Sequence, residues 1–218
     1  MAQDSSTPDF WDSRYRDHVT PWDAGKVPAQ LQRYAGQLAP GSRVLIPGCG
    51  SAYEAGYLIG NGFDVLAIDF SQAAVEAAQH TLARFADRVR FADFFALDAG
   101  APWDCVYERA FLCALPPRMW PQYARRMAQI LRPGGTLAGF FFFRETVKGP
   151  PFGTTPAALH ALLDPAFDLT QDLASDDSIE VFRGAERWQV WTRRRQGTNL
   201  GCSRTQAVAD SPASGGAP

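Results

Sequence analysis

Arg43-Val44-Leu45-Ile46-Pro47-Gly48-Cys49-Gly50-Ser51 is the stretch from which the rest of the chain can be read. Residues 43–47 are apolar and end at a glycine-rich turn, the pattern of a buried strand. A helix is predicted over 51–60. Phe63 to Ile68 form a second buried strand, with Asp69 at its end, twenty-one residues after Gly48. Ser71 stands where a helix N-cap belongs, and Val75, Ala78, Leu82 and Phe85 then recur at helical spacing. Val89–Phe91 read as a third strand and Cys105–Tyr107 as the core of a fourth. Pro116-Pro117 open a helix that places Met119, Tyr123, Met127 and Ile130 on one face, and Pro133-Gly134-Gly135 stop it. Leu137–Phe143 form a fifth strand. A helix near 155–163 and strands near 167–173 and 187–193 complete the count.

Strand and helix alternate through five units, which argues for a parallel sheet covered on both faces. Only a polar loop, Ser175 to Ser178, separates the last two strands, so they read as an antiparallel hairpin at the sheet edge. The predicted fold class is α/β and Rossmann-like, with a seven-stranded, mostly parallel sheet and helices on both faces. Residues 1–9 are expected to be a loose N-terminus, 10–195 the folded domain, and the small, polar 196–218 a disordered tail.

Composition narrows the function classes. The chain has 218 residues, 46% hydrophobic and 20% charged, with a net charge of -2. No nucleic acid, membrane or specific protein partner is implied by that balance. Cys49, Cys105, Cys113 and Cys202 form no CxxC pair, and His18, His80 and His160 stand apart, so neither a metal site nor a disulfide framework is expected. The N-terminal MAQDSSTPDF lacks a basic stretch followed by an apolar run, and no apolar stretch is long enough to span a bilayer. A cytoplasmic, reduced location fits these features.

A strand ending in Gly48-x-Gly50 and running into a helix allows close backbone approach to a ligand. A tight turn alone would also account for those glycines. Asp69, however, is placed to accept the ribose hydroxyls of an adenosine, in NAD and S-adenosylmethionine alike. The dinucleotide fingerprint wants a third glycine where this chain has Tyr53, and Glu54 would oppose a diphosphate. Those departures favour a cofactor without phosphates, and S-adenosylmethionine fits. Asp93-Phe94, after the third strand, can pair with the adenine amino group and stack on its ring. An exposed Asp beside a core Phe is the plainer reading of the same pair.

FWDSRY (10–15), TPWDAG (20–25), VLIPGCG (44–50), VYERAFLCALPP (106–117) and GPPF (149–152) together resemble the thiopurine methyltransferase superfamily, which includes thiol and halide methyltransferases. The resemblance runs from about Phe10 to Arg193. It implies a class I methyltransferase with an N-terminal extension that closes over the cofactor. It also implies cofactor contacts from Trp11, Tyr15, Trp22, Gly48, Gly50, Asp69, Asp93, Phe94 and Arg109. TPWD, PGCG and Asp69 look like the thiol/halide branch, whereas Glu108-Arg109 resembles the Asp-Arg pair of the thiopurine branch. Tyr15 stands where both branches usually carry Trp.

Methyl transfer needs in-line placement and a deprotonated nucleophile. An aromatic segment suits a sulfonium cation and excludes water. Arg109, at the end of the fourth strand, is the candidate catalytic group, since its charge favours an anionic acceptor. Trp22, Glu108, Phe111, Pro151 and Phe152, with Pro150, are candidate walls of the acceptor pocket, or plain loop packing. The expected activity is methyl transfer to a small thiol or similar soft nucleophile. Halide or thiocyanate methylation, or O/N-methylation of a secondary metabolite, is the alternative. An NAD-dependent oxidoreductase is disfavoured by Tyr53 and by the lack of a Tyr-x-x-x-Lys or His-based hydride-transfer dyad. A cofactor-binding protein without catalysis is the remaining reading.

Overall fold

The computed structural model describes residues 4–98, 100–175 and 177–195. Seven strands form one sheet in the order β3-β2-β1-β4-β5-β7-β6. They are β1 (Arg43–Pro47), β2 (Asp64–Asp69), β3 (Val89–Phe91), β4 (Trp103–Arg109), β5 (Leu131–Phe142), β6 (Phe167–Ala174) and β7 (Glu186–Arg193). β1 to β5 pair in parallel, while β7 runs antiparallel to both β5 and β6. Strand β7 therefore lies inside the sheet, and β6 alone of the hairpin is an edge. The link between them carries a 3-10 turn at Glu180–Phe182, so it is more than a polar loop.

Side chains alternate across a strand, so each strand feeds two cores. On β1, Val44 and Ile46 join Cys105 and Tyr107 of β4 and Trp188 and Val190 of β7 on one face. Leu45, Val106, Leu137 and Trp191 pack on the other. The first face is covered by α2 (Ala29–Ala35), α3 (Tyr53–Gly60) and α4 (Gln72–Leu82), through residues such as Leu31, Leu58 and Val75. The second is covered by α5 (Trp120–Ile130) and α6 (Pro156–Leu163), through Tyr123, Met127, Ile130, Leu159 and Leu163. None of the described helices is long and apolar enough to cross a membrane.

Several local expectations shift. Gly48, Gly50 and Ala52 all have positive φ, so the turn continues until α3 begins at Tyr53. The Ser71 hydroxyl accepts the Ala74 N–H as the N-cap of α4, which ends at Leu82 and leaves Phe85 in a following 3-10 turn. Pro117–Met119 likewise form a 3-10 turn ahead of α5. Pro133-Gly134-Gly135 do not stop that helix. It ends at Ile130, and the three residues form an irregularity within β5 where the register to β4 shifts.

The N-terminus also departs from the expectation of a loose segment. Asp4 pairs with Arg118 at 2.9 Å, and the Ser5 hydroxyl, buried, donates to the Ala114 carbonyl. Helix α1 (Pro8–Arg16) then starts on a proline, whose fixed φ suits a first helical turn. Residues 1–3 and the expected tail at 196–218, with Cys202, lie outside the described residues.

Candidate active site

The carboxyl ends of β3, β2, β1 and β4 lie side by side, and they present Asp93, Asp69, Gly48 and Arg109 in that order along one edge. Open parallel sheets bind ligands at this edge. A cavity of about 460 Å³ opens here, and all four residues line it. Helix α1 and residues 17–26 form its roof, with Trp11, Tyr15 and Trp22 facing inward.

Each glycine of the turn has a local cause. Gly48 has φ +58, and a methyl group there would stand 2.6 Å from Phe111 Cδ2. Gly50 has φ +52, and the Tyr15 hydroxyl would lie 2.7 Å from a Cβ. A side chain at either position is strained by the backbone and blocked by an aromatic neighbour.

Asp69 is buried, with Oδ2 accepting the Gly50 N–H at 3.2 Å and Oδ1 the Ser71 N–H at 2.9 Å. Burial pushes its carboxyl up to about 6, while those N–H groups pull the other way. A carboxylate offers about four acceptor positions, so Asp69 keeps capacity for a further donor from the cavity. Asp93 is exposed and folds back on itself, its Oδ1 accepting the Phe95 N–H at 2.9 Å. Phe94 is buried, edge-on to Phe111 at 5.3 Å.

The roof is fastened at two points that the sequence reading missed. Asp12 of α1 is buried, and its Oδ1 accepts the Ser71 hydroxyl at 2.6 Å and the Ala73 N–H at 3.1 Å. It thereby caps α4, whose N-terminus carries partial positive charge, and shares Ser71 with Asp69. Asp23 accepts a short hydrogen bond from the Ser51 hydroxyl, just after the glycine turn. Among the aromatics, Trp22 Nε1 donates to the Tyr15 hydroxyl at 3.4 Å, and Trp11 meets Trp22 edge-on at 5.3 Å. Both carboxylates sit inside FWDSRY and TPWDAG, beside a tryptophan, so the motifs did carry the signal.

Arg109 is the unusual group. Its side chain is 8% exposed, and Nε, Nη1 and Nη2 have no hydrogen-bond partner among the described residues. Glu186 Oε1 lies 3.7 Å from Nε, and the Phe140 ring 4.9 Å from Cζ. Glu186 is itself held by the Ser178 hydroxyl at 2.5 Å. No feature of the sequence pointed to Glu186, which arrives from β7. A buried guanidinium without hydrogen bonds is costly unless a polar or anionic ligand completes it.

Two of the candidate pocket residues are elsewhere. Glu108 follows Tyr107 and precedes Arg109 on β4, so its side chain takes the opposite face. There it is buried, and Oε2 accepts the Phe111 and Leu112 N–H groups at 2.9 and 3.2 Å. Phe152 packs behind the wall beside Gly149, near Glu108, while Pro150 and Pro151 do line the cavity. In place of those two, Val181 and Phe182 from the β6–β7 link line the cavity, with Trp22 packed nearby.

The sheet order, the open glycine turn, the half-satisfied Asp69 carboxylate and the aromatic roof together define an S-adenosylmethionine-dependent methyltransferase of class I. The family model described as Thiopurine S-methyltransferase matches residues 6–194, and the chain belongs to that family. It is 27% identical over 200 residues to a probable thiol methyltransferase 2 from Arabidopsis thaliana, covering 88% of each chain. It is 33% identical over 181 residues to a thiopurine S-methyltransferase from Azotobacter vinelandii, covering 71% of this chain and 81% of the relative. Among solved structures, magnesium protoporphyrin IX methyltransferase from Synechocystis with bound S-adenosylmethionine has the same fold. The TM-score is 0.67 at 17% identity, covering 88% of this chain and 98% of that one.

Proposed function

We propose that the chain methylates a small thiol, with Arg109 holding the sulfur as its anion. Bound S-adenosylmethionine supplies a methyl group on a sulfonium, a carbon electrophile that needs no acid. Asp69 would hold the ribose, Asp93 and Phe94 the adenine, and Gly48 and Gly50 leave room for the backbone to approach. Trp11, Tyr15 and Trp22 exclude water and offer the sulfonium aromatic faces.

The observation that carries the reading is the buried guanidinium of Arg109, paired with Glu186 but without a hydrogen-bond partner among the described residues. A guanidinium stays charged and cannot take a proton, but it lowers the pKa of a thiol beside it. The names of the relatives, thiol and thiopurine methyltransferases, support the same acceptor class. The cavity must hold cofactor and acceptor together, which favours a small molecule as the sole partner. Cys49, Cys105 and Cys113 are free buried thiols, which supports a reducing, cytoplasmic setting. We read residues 10–195 as one methyltransferase domain with its own aromatic lid.

The test is a panel of alkyl and aryl thiols, thiocyanate, iodide and phenols, with labelled S-adenosylmethionine. Thiols should be methylated, and Arg109→Ala should lose most rate below the thiol's own pKa, less above it. Methylation confined to phenols, or an Arg109→Ala defect identical for every acceptor at every pH, would overturn the proposal.

A further inference from the structure

We infer that Glu54 is the base that takes the thiol's proton. The inference rests on the thiol reading above and adds the group that reading lacks, since arginine cannot accept a proton. Glu54 stands in the first turn of α3 and lines the cavity with Tyr107 and Arg109. Tyr107 and Arg109 are two apart on β4 and share the sheet face that α3 covers. The Tyr107 hydroxyl donates to Glu54 Oε1 at 3.3 Å and so orients the carboxyl. The Glu54 backbone N–H also bonds the carboxyl.

The competing carboxylates are already engaged. Asp69 accepts two backbone N–H groups, and Asp23 accepts the Ser51 hydroxyl and the Gly25 N–H. Asp93 lies at the far end of the edge, after β3. Charged and titratable groups from three elements face Glu54 among the described residues. These are Arg109 and Tyr107 from β4, Asp23 from the roof and Cys49 from the glycine turn. Burial raises its carboxyl, its own backbone N–H and then Arg109 draw it down, and Asp23 raises it again. A carboxyl raised by burial is a better match for a thiol than an exposed one, as a general base requires.

The S–H bond breaks and its proton forms an O–H bond on Glu54, while sulfur keeps the electron pair beside Arg109. That pair forms the bond to the methyl carbon, the sulfonium–methyl bond breaks, and S-adenosylhomocysteine leaves as a neutral thioether. Glu54 returns its proton to solvent when product departs.

Glu54→Gln keeps the size and the bond from Tyr107 but removes the base. Calorimetry with S-adenosylhomocysteine should show affinity within about twofold of wild type. An aryl thiol is then added to that complex and its thiolate absorbance followed. Wild type should form thiolate below the thiol's own pKa with no proton released to buffer, and Glu54→Gln should not. With S-adenosylmethionine, kcat for the thiol should fall about 100-fold below the thiol's own pKa and its acid limb should move up to that pKa, while thiocyanate or iodide is affected far less. Glu54→Asp should restore the thiolate signal. A Glu54→Gln protein that still forms thiolate with the proton retained overturns the inference. So does one that loses S-adenosylhomocysteine affinity and all acceptors alike, which assigns Glu54 to the cofactor. Wild type that methylates no thiol at all refutes the acceptor class instead.

Discussion

Asp69 offers a test in which burial, hydrogen bonding and ligand binding give one measurable slope. Its carboxyl sits at about 6 in the protein because it is buried, although Ser71 and Gly50 donate N–H bonds to it. Ribose hydroxyls are donors and need the ionised form. If the ionised form alone binds, affinity for S-adenosylhomocysteine falls tenfold for each pH unit below about 6, since one unit is worth about 1.36 kcal/mol. Between about pH 8 and pH 5 the dissociation constant should therefore rise about tenfold. Asp69→Asn removes the charge that two hydroxyls would share, and hydrogen bonds to a charged group are worth about 1.5–3 kcal/mol. The variant should bind about 10- to 100-fold more weakly at about pH 8, and its profile should be flat.

The fold responds with the opposite sign. A carboxyl raised from 3.8 to about 6 stabilises the ligand-free protein below 3.8, and that contribution is lost as pH rises through about 6. At about pH 8, then, Asp69→Asn should weaken binding without a matching fall in melting temperature. Titration calorimetry across the range, with thermal melts of the same samples, measures both. A wild-type affinity that does not change between about pH 8 and pH 5 would refute the assignment of Asp69 to the ribose.

Three further outcomes follow from the same structure. Asp12→Ala strands the buried Ser71 hydroxyl and Ala73 N–H, which should cost about 1–3 kcal/mol in stability, seen in denaturant melts, and weaken S-adenosylhomocysteine binding by calorimetry. Gly48→Ala should destabilise the turn by about 1–3 kcal/mol, with Phe111→Ala in the same chain recovering part of the loss because the 2.6 Å clash is with that ring. Burial pushes Glu108 from 4.5 up to about 8, so its stabilisation is present below 4.5 and lost as pH rises through about 8. Glu108→Gln, which still accepts from Phe111 and Leu112, should therefore melt higher than wild type above about pH 8, by about 2–4 °C per kcal/mol gained. The two curves should meet near 4.5, and an offset that ignores pH would show that the charge is not the cause.

How much of this was legible follows from which contacts are local. Gly48, Gly50 and Asp69 could be read because a strand, a turn and the next strand's end are fixed by short-range periodicity and by a glycine-only backbone. The parallel pairing of β1 to β5 could be read from strand–helix alternation, but their order could not, and the reading stopped at the hairpin. There β7 inserts between β5 and β6, because its Trp188 and Trp191 feed opposite cores and need cover on both faces. Glu108 was misplaced although the rule that corrects it is elementary. If Arg109 faces the cavity, its strand neighbour cannot, and a carboxylate on the far side must find N–H donors of its own, which Phe111 and Leu112 supply. Asp12, Glu54 and Glu186 needed more than that rule. Asp12 reaches Ser71 across 59 positions, Glu54 reaches Tyr107 across 53, and Glu186 arrives beside Arg109 from a strand that no local pattern links to β4. Pairings across such distances leave no trace in local spacing, so only the folded sheet brings these three carboxylates to the ends of β2 and β4.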